Sequence, residues 1–203
     1  YGHVQRNTHE NTSWDKAKFE VVGHKYADLS DHDSGVALLN DCKYGYFVKD
    51  NILDLNLLRS PNNPDPDADQ GKHQFIYSIF PHEHDLIRSN VVPEATCLNQ
   101  IPIVFNGVRT DNGIPVKLNG NGLELTVLKK GEKEDCLIIR IVETSGRLST
   151  GSLKLDGTLT ECDLMEWNDT DSQTRVEGSM ALSLSPFEIK TFKLVRNITP
   201  LLL

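Results

Sequence analysis

The sequence predicts an all-β protein made of one β-sandwich followed by a smaller C-terminal β-sandwich, on three observations. Apolar residues recur at every second position through most of the chain, turn residues interrupt those runs at short intervals, and only one stretch has helical character. Strand, turn and strand repeated without intervening helices build antiparallel sheets packed face to face rather than βαβ units. At 203 residues the chain can form one large β domain or two small ones with a real core.

The first strong alternation, over residues 52–58, puts Leu53, Leu55 and Leu57 on one face with Asp54 and Asn56 opposite. The second, over 73–80, groups Phe75, Tyr77 and Ile79, which are expected to be more buried than Gln74 and Ser78. These two runs are expected to pair as a hairpin whose register is fixed by burial, because a one-residue slip turns every side chain to the other face. Residues 83–97 are charged early and apolar late; Pro93 splits them, so the expectation is at most a short helix. Further strands are expected where Leu123, Leu125 and Val127 alternate with Glu124 and Thr126, around Leu137, Ile139 and Ile141, and at Met180, Leu182 and Leu184. Turn signals stand at Lys49-Asp-Asn51, Asn119-Gly-Asn-Gly122, Lys130-Gly-Glu132, Ser145-Gly146 and Asp156-Gly157. The stretch 106–119 is rich in Gly, Asn and Asp, as connectors are. It divides the chain into residues 1–110 and residues 111–203.

Composition excludes several functional classes. A net charge of −8, with only short basic clusters set beside acids, disfavours nucleic acid and anionic membrane as partners. No segment is long or apolar enough to span a bilayer as a helix. The four cysteines show no CxxC or Cys/His spacing. Two disulfides are possible, but they read more simply as mostly buried thiols in a reducing compartment, and a cytoplasmic location is the expectation. The three sequons, at Asn11, Asn168 and Asn197, are too common a pattern to argue for secretion. The first residues have neither the basic nor the apolar part of a signal peptide and no initiator Met, so the chain reads as a fragment or a processed piece.

Three features could carry chemistry. His82-Glu-His84 follows a Pro and lacks a third ligand at defined spacing, so it reads as a surface loop rather than a metal site, and no metal set is expected in this chain. Asp65, Asp67 and Asp69 lie in Arg59-Ser-Pro-Asn-Asn-Pro-Asp-Pro-Asp-Ala-Asp-Gln-Gly71, a loop stiffened by three prolines. Carboxylates there can hold a sugar hydroxyl or an arginine, or they can simply be solvated. Trp14 and Trp167 offer faces for stacking a sugar, or belong to a core or rim.

A longer pattern runs through these residues. It comprises Arg6-Asn-Thr-His-Glu-Asn-Thr-Ser-Trp-Asp15, Gly35-Val-Ala-Leu-Leu-Asn-Asp-Cys-Lys-Tyr-Gly-Tyr46, Leu57-Leu-Arg-Ser-Pro61, Pro64-Asp-Pro-Asp-Ala-Asp69, Gly71-Lys-His73 and Pro81-His82. In this order they strongly resemble the C-terminal region of family 38 glycoside hydrolases, the α-mannosidases, in their cytosolic and bacterial branch. Leu137-Ile-Ile-Arg-Ile-Val-Glu143, Cys162 to Glu166 and Pro186-Phe-Glu-Ile-Lys-Thr191 carry the likeness more loosely to the end. The resemblance implies the last part of a mutarotase-like supersandwich followed by a small sandwich. It also implies retaining hydrolysis of α-mannosides with a divalent metal, usually zinc. In the family the metal ligands and catalytic carboxylates belong to an N-terminal barrel, so no catalytic residue or cofactor is expected here, and the upstream barrel of the same polypeptide becomes the expected partner. The family also sends an arginine from its β region into the cleft. Motif position makes Arg59 the candidate, with Asp65 and Asp69 next. Asp54 and Asn56 depart from the Arg and Ser that relatives often carry, and are expected to face solvent. The alternative reading is a freestanding carbohydrate-binding or assembly sandwich.

Overall fold

The computed structural model describes residues 2–104, 106–107 and 115–196, apart from the side chain of Asp171. The chain divides into a unit of residues 6–106 and a unit of residues 107–203 joined by residues 1–5. The expected division at 110/111 and the Asn197 sequon lie outside the described residues.

The 6–106 unit begins with α1 (Ser13–Ala17), a short helix with no buried residue. It is held by a capping box. The Asp15 N–H donates to Thr12 Oγ1 at 3.1 Å, and the Thr12 N–H donates to Asp15 Oδ2 at 3.0 Å. There follow β1 (Val21–Val22), β2 (Tyr26–Ser30), β3 (Ser34–Asn40), β4 (Gly45–Lys49), β5 (Ile52–Leu55) and β6 (Tyr77–Glu83). They form two antiparallel sheets, in the orders β1-β4-β5 and β2-β3-β6. The expected turn at Lys49-Asp-Asn51 closes the β4–β5 hairpin, with Asp50 at φ 52°.

The expected hairpin between 52–59 and 73–80 does not form. β5 pairs with β4 and β6 with β3, so the two alternating runs belong to different sheets. Alternation fixes which residues share a face but not which strand lies alongside. The expected facing of the second run holds for Phe75, more buried than Gln74, but is reversed within β6. Tyr77 and Ile79 are 54% and 67% exposed, whereas Ser78, Phe80 and His82 point toward α2 (Val91–Asn99) and are the more buried set. That helix lays Val91 and Ala95 on Ala37 and Leu39, with Tyr26 and Phe80 around them. Pro93 does not split the helix. It sits in the first turn, where an N–H has no intrahelical acceptor to lose.

The second unit contains β7 (Lys117–Asn119), β8 (Leu123–Lys130), β9 (Leu137–Glu143), β10 (Ser149–Cys162), β11 (Asp169–Leu184) and β12 (Ile189–Val195). Its sheet order is β11-β10-β12-β9-β8, and β7 pairs with the first half of β10. Leu153, Leu155 and Leu159 from β10 meet Ile139, Ile141, Phe192 and Leu194 in a single core. The expected turn at Asp156-Gly157 instead lies inside β10. Gly157 takes φ 152°, and a Cβ there would lie 2.5 Å from the Val195 carbonyl oxygen, so the glycine serves close strand approach rather than chain reversal. The alternation expected in β8 breaks at a bulge, since Leu125 pairs with Ile141 while Val127 pairs with Arg140, and Thr126 is the extra residue. The Met180, Leu182, Leu184 face is inward as expected. Of the four cysteines, Cys136 and Cys162 are buried, but Cys42 and Cys97 are exposed, contrary to the expectation of mostly buried thiols.

Candidate functional site

The loop from Arg59 to Gly71 is organised by its own carboxylates. The Asp69 carboxylate accepts the Ser60 N–H at 2.8 Å and closes the loop at its base. Ser60 and Asp69 both adopt left-handed backbone, at φ 46° and 61°. The Asp65 carboxylate accepts the Asp67 N–H at 3.0 Å, an Asx turn at the far side of the loop. Gln70 Nε2 donates to Asp67 Oδ1 at 3.1 Å and to the Pro66 carbonyl at 3.3 Å. Two of the three site candidates therefore have a carboxylate oxygen occupied by the loop's own backbone. Arg59 differs. It does not end a strand, because β5 stops at Leu55, and its side chain is exposed. Among the described residues no hydrogen bond or ion pair holds its guanidinium, so the fork is available to a ligand.

Beside the start of this loop lies a cleft of about 500 Å³, lined by Glu20, Phe47, Asp54, Asn56, Leu57 and Phe75 among others. Lys43 Nζ stands 5.0 Å from the centroid of the Phe75 ring. Carboxylate, amide and aromatic edges together suit a polyhydroxylated ligand. Asp54 and Asn56 are solvent-facing, as expected, yet they line this cleft. Alternation shows that such residues point away from the core, but it carries no signal for concavity. Trp14 and Trp167 are 78% and 62% exposed; Lys133 Nζ lies 4.4 Å from the Trp167 ring centroid and occupies part of its surroundings.

His82 is no surface-loop residue. It is on β6, and its Nε2 donates to Asp28 Oδ1 at 2.8 Å with both side chains almost wholly buried. Ser30 Oγ donates to the other Asp28 oxygen at 2.6 Å. Gly35 makes room for this arrangement, because a Cβ there would lie 2.6 Å from the His82 ring. The serine bonds the aspartate and not the histidine, so the trio lacks a nucleophile–base contact and works as a structural tie across β2, β3 and β6. Only His84, at a φ of 67°, lies exposed at the turn.

The second unit has its own polar hub. Glu143, 0% exposed, accepts from the Ser145, Gly146 and Phe187 N–H groups at 2.8, 2.8 and 2.9 Å, from Ser149 Oγ at 2.9 Å, and from Ser145 Oγ. Burial pushes its pKa up, but these hydrogen bonds outweigh burial and bring it down to about 2. The buried Lys193 is held charged by Asp169 and Glu134 at 2.8 and 2.7 Å, which raise its pKa. Burial lifts the Cys162 thiol to about 11 and raises that of Cys136, so neither is a nucleophile at neutral pH. Among the described residues no three His, Cys, Asp or Glu side chains converge as a metal set.

Two β-rich units with an exposed arginine loop, and no catalytic constellation among the described residues, leave the class of protein to the comparisons, which supply the family. Residues 1–67 match the glycosyl hydrolases family 38 C-terminal domain, and residues 122–192 match the family 38 C-terminal beta sandwich domain. The chain is 37% identical to alpha-mannosidase G of Dictyostelium discoideum over 97% of its length, 36% identical to alpha-mannosidase 2C1 of Homo sapiens over 98%, and 35% identical to an alpha-mannosidase of Saccharomyces cerevisiae over 96%. It covers 19%, 20% and 20% of those proteins. The crystal structure of an alpha-mannosidase from Enterococcus faecalis V583 shares the fold with a TM-score of 0.67 at 18% identity, over 95% of this chain and 23% of that one. The chain belongs to the C-terminal region of the family 38 glycosyl hydrolases. It spans about a fifth of the length of the curated relatives it matches.

Proposed function

We propose that this chain forms part of the cleft wall of a retaining α-mannosidase whose catalytic barrel and divalent metal, zinc in the expected case, are supplied by preceding polypeptide. The observation that carries the reading is the identity of 35–37% along almost the whole chain to α-mannosidases that are about five times longer. On this reading residues 1–110 end a large sandwich domain, residues 111–203 form the small C-terminal sandwich, and the substrate is an α-mannoside. Four unpaired thiols favour a cytoplasmic location, and no helix among the described residues is long and apolar enough to cross a membrane.

Within this region Arg59 is the residue proposed to meet the substrate or a catalytic carboxylate, with Asp65 and Asp69 holding the loop that presents it. The test has two parts. The 203-residue chain, offered an aryl α-mannoside with zinc or cobalt, should give no turnover above blank, since retaining hydrolysis needs two carboxyl groups roughly 5–5.5 Å apart across one bond. In the long polypeptide, Arg59→Ala should lower kcat/KM by roughly tenfold to a hundredfold with melting unchanged, the size of a lost charge-assisted hydrogen bond of about 1.5–3 kcal/mol. Arg59→Lys should recover little, because an ammonium does not reproduce a planar fork. Wild-type kinetics in both variants would return Arg59 to a solvated loop.

A further inference from the structure

The turn Asn119-Gly-Asn-Gly122 joins β7 to β8 and carries two Asn-Gly steps in succession. In an Asn-Gly step the asparagine amide reacts readily with the next main-chain nitrogen, because glycine puts no side chain in the way. The structure holds the two steps differently. Asn119 ends β7 in register with Ser152 of β10. Gly120 is pressed onto β10, since a Cβ there would lie 2.9 Å from Gly151 Cα and 3.0 Å from the Thr150 carbonyl oxygen. Asn121 stands exposed at the tip of the turn. Among the described residues nothing holds its side chain or the Gly122 N–H.

Gly122 is also where the turn meets the Glu143 hub. At φ 75° a Cβ there would lie 2.7 Å from Ser145 Oγ, 2.8 Å from Ser149 Oγ and 3.1 Å from Glu143 Oε1. Its carbonyl oxygen accepts the Thr144 N–H at 2.8 Å. The glycine is therefore fitted against the hub without slack.

We propose that Asn121 is a site of spontaneous deamidation whose isoaspartyl product loosens the Glu143 hub. The Gly122 nitrogen gives its proton to solvent and attacks Asn121 Cγ. An N–Cγ bond forms, the Cγ–Nδ2 bond breaks, and ammonia leaves with a proton from solvent. Water then opens the succinimide ring. Attack at Cγ leaves aspartate, and attack at the main-chain carbonyl carbon leaves isoaspartate, whose main chain runs through the side chain. Both products carry a new carboxylate. Only isoaspartate adds a methylene to the main chain just before Gly122, and the added length moves the glycine off its seat.

The experiment is ageing of the long polypeptide in mildly alkaline buffer, followed by peptide mapping with fragmentation that separates isoaspartate from aspartate. Asn106-Gly107, also exposed, supplies a reference rate in the same map. Asn121 should convert at least about tenfold faster than Asn119, whose reaction waits for β7 to leave β10. Equal rates at the two positions, or no conversion at Asn121, would overturn the proposal. In the isolated isoaspartyl form the Ser145, Gly146 and Phe187 amides should exchange at least about tenfold faster than in fresh protein. Asn121→Asp carries the charge without the methylene and should exchange like fresh protein. Asn121→Gln, aged in the same way, should do so too, because its longer side chain does not close a five-membered ring. Unchanged exchange in the isoaspartyl form would overturn the link to the hub. Fast exchange in Asn121→Asp would overturn it as well, by assigning the effect to charge instead of chain length.

Discussion

The two units differ in how completely they bury themselves. Residues 107–203 gather eleven buried hydrophobic side chains, from Val116 to Leu194, in one cluster contributed by β9, β10, β11 and β12 and the segment before β7. Among the described residues, 6–106 gather a cluster of four, of which two are alanines, with Leu38 and Tyr46 buried outside it, and leave Tyr77, Ile79 and Val36 exposed. Folding stability is the small remainder of burial against chain entropy, so the unit with the smaller apolar cluster has the smaller margin. The difference teaches that the C-terminal sandwich is built to fold on its own terms. The preceding unit carries core-like alternation on a sheet whose second face is partly exposed.

The comparison is tested most severely at Glu143, among the described residues the one fully buried carboxylate in the better-packed unit. Glu143→Ala removes the acceptor for three backbone N–H groups and two hydroxyls, most of them part-buried. The expected loss is roughly 3–5 kcal/mol, read as reduced amide protection across β9. The wild-type chain should show the same dependence on acid. Because the folded pKa lies at about 2, below the ordinary value of 4.5, stability is fully present above pH 4.5 and is lost as pH falls toward 2. The loss amounts to about 3 kcal/mol. Amide protection in β9 that is flat between pH 5 and 2 would remove Glu143 as the hub of that unit.

A smaller effect is expected in the thinner unit. His82→Ala leaves the buried Asp28 carboxylate with Ser30 as its remaining side-chain partner. The substitution should cost roughly 2–3 kcal/mol, confined to amides of β2, β3 and β6. If β9 loses protection equally, the two units unfold as one and the contrast between them fails as a statement about stability. An unchanged β6 would mean that the buried pair contributes nothing to this sheet.

The sequence made some of this legible and hid the rest, for physical reasons. Strand positions followed from local periodicity, and Lys49-Asp-Asn51 closed the turn it announced because a hairpin turn is a local object. The pairing of β6 with β3, across more than thirty residues, left no local mark. Tyr77 and Ile79 read as a core face and point outward, because alternation marks which residues share a face and not which face meets the core. His82 looked like a loop residue because its partner, Asp28, is 54 positions away. At the candidate site, the loop and its prolines were readable. The use of Asp65 and Asp69 as backbone acceptors was not, since an acidic side chain looks the same in sequence whether it meets a sugar or an N–H.

The smallest expected effect is at Asp69, where it separates loop architecture from ligand contact. Asp69 combines two local jobs: a left-handed backbone at φ 61°, and a carboxylate oxygen that accepts the Ser60 N–H at 2.8 Å. Asn tolerates the same backbone region and keeps an oxygen acceptor, so Asp69→Asn should melt with the wild type. Ala keeps neither property. Because the group is exposed and water can replace the lost acceptor, Asp69→Ala should cost no more than about 1 kcal/mol, seen as faster proteolysis within residues 60–71. In the long polypeptide the two variants then divide the possibilities. If Asp69 only shapes the loop that carries Arg59, Asp69→Asn retains kcat/KM and Asp69→Ala lowers it through misplacement of the arginine. If the charge itself meets the sugar, Asp69→Asn loses activity while its loop remains closed and protease-resistant, and the carboxylate moves from scaffold to contact.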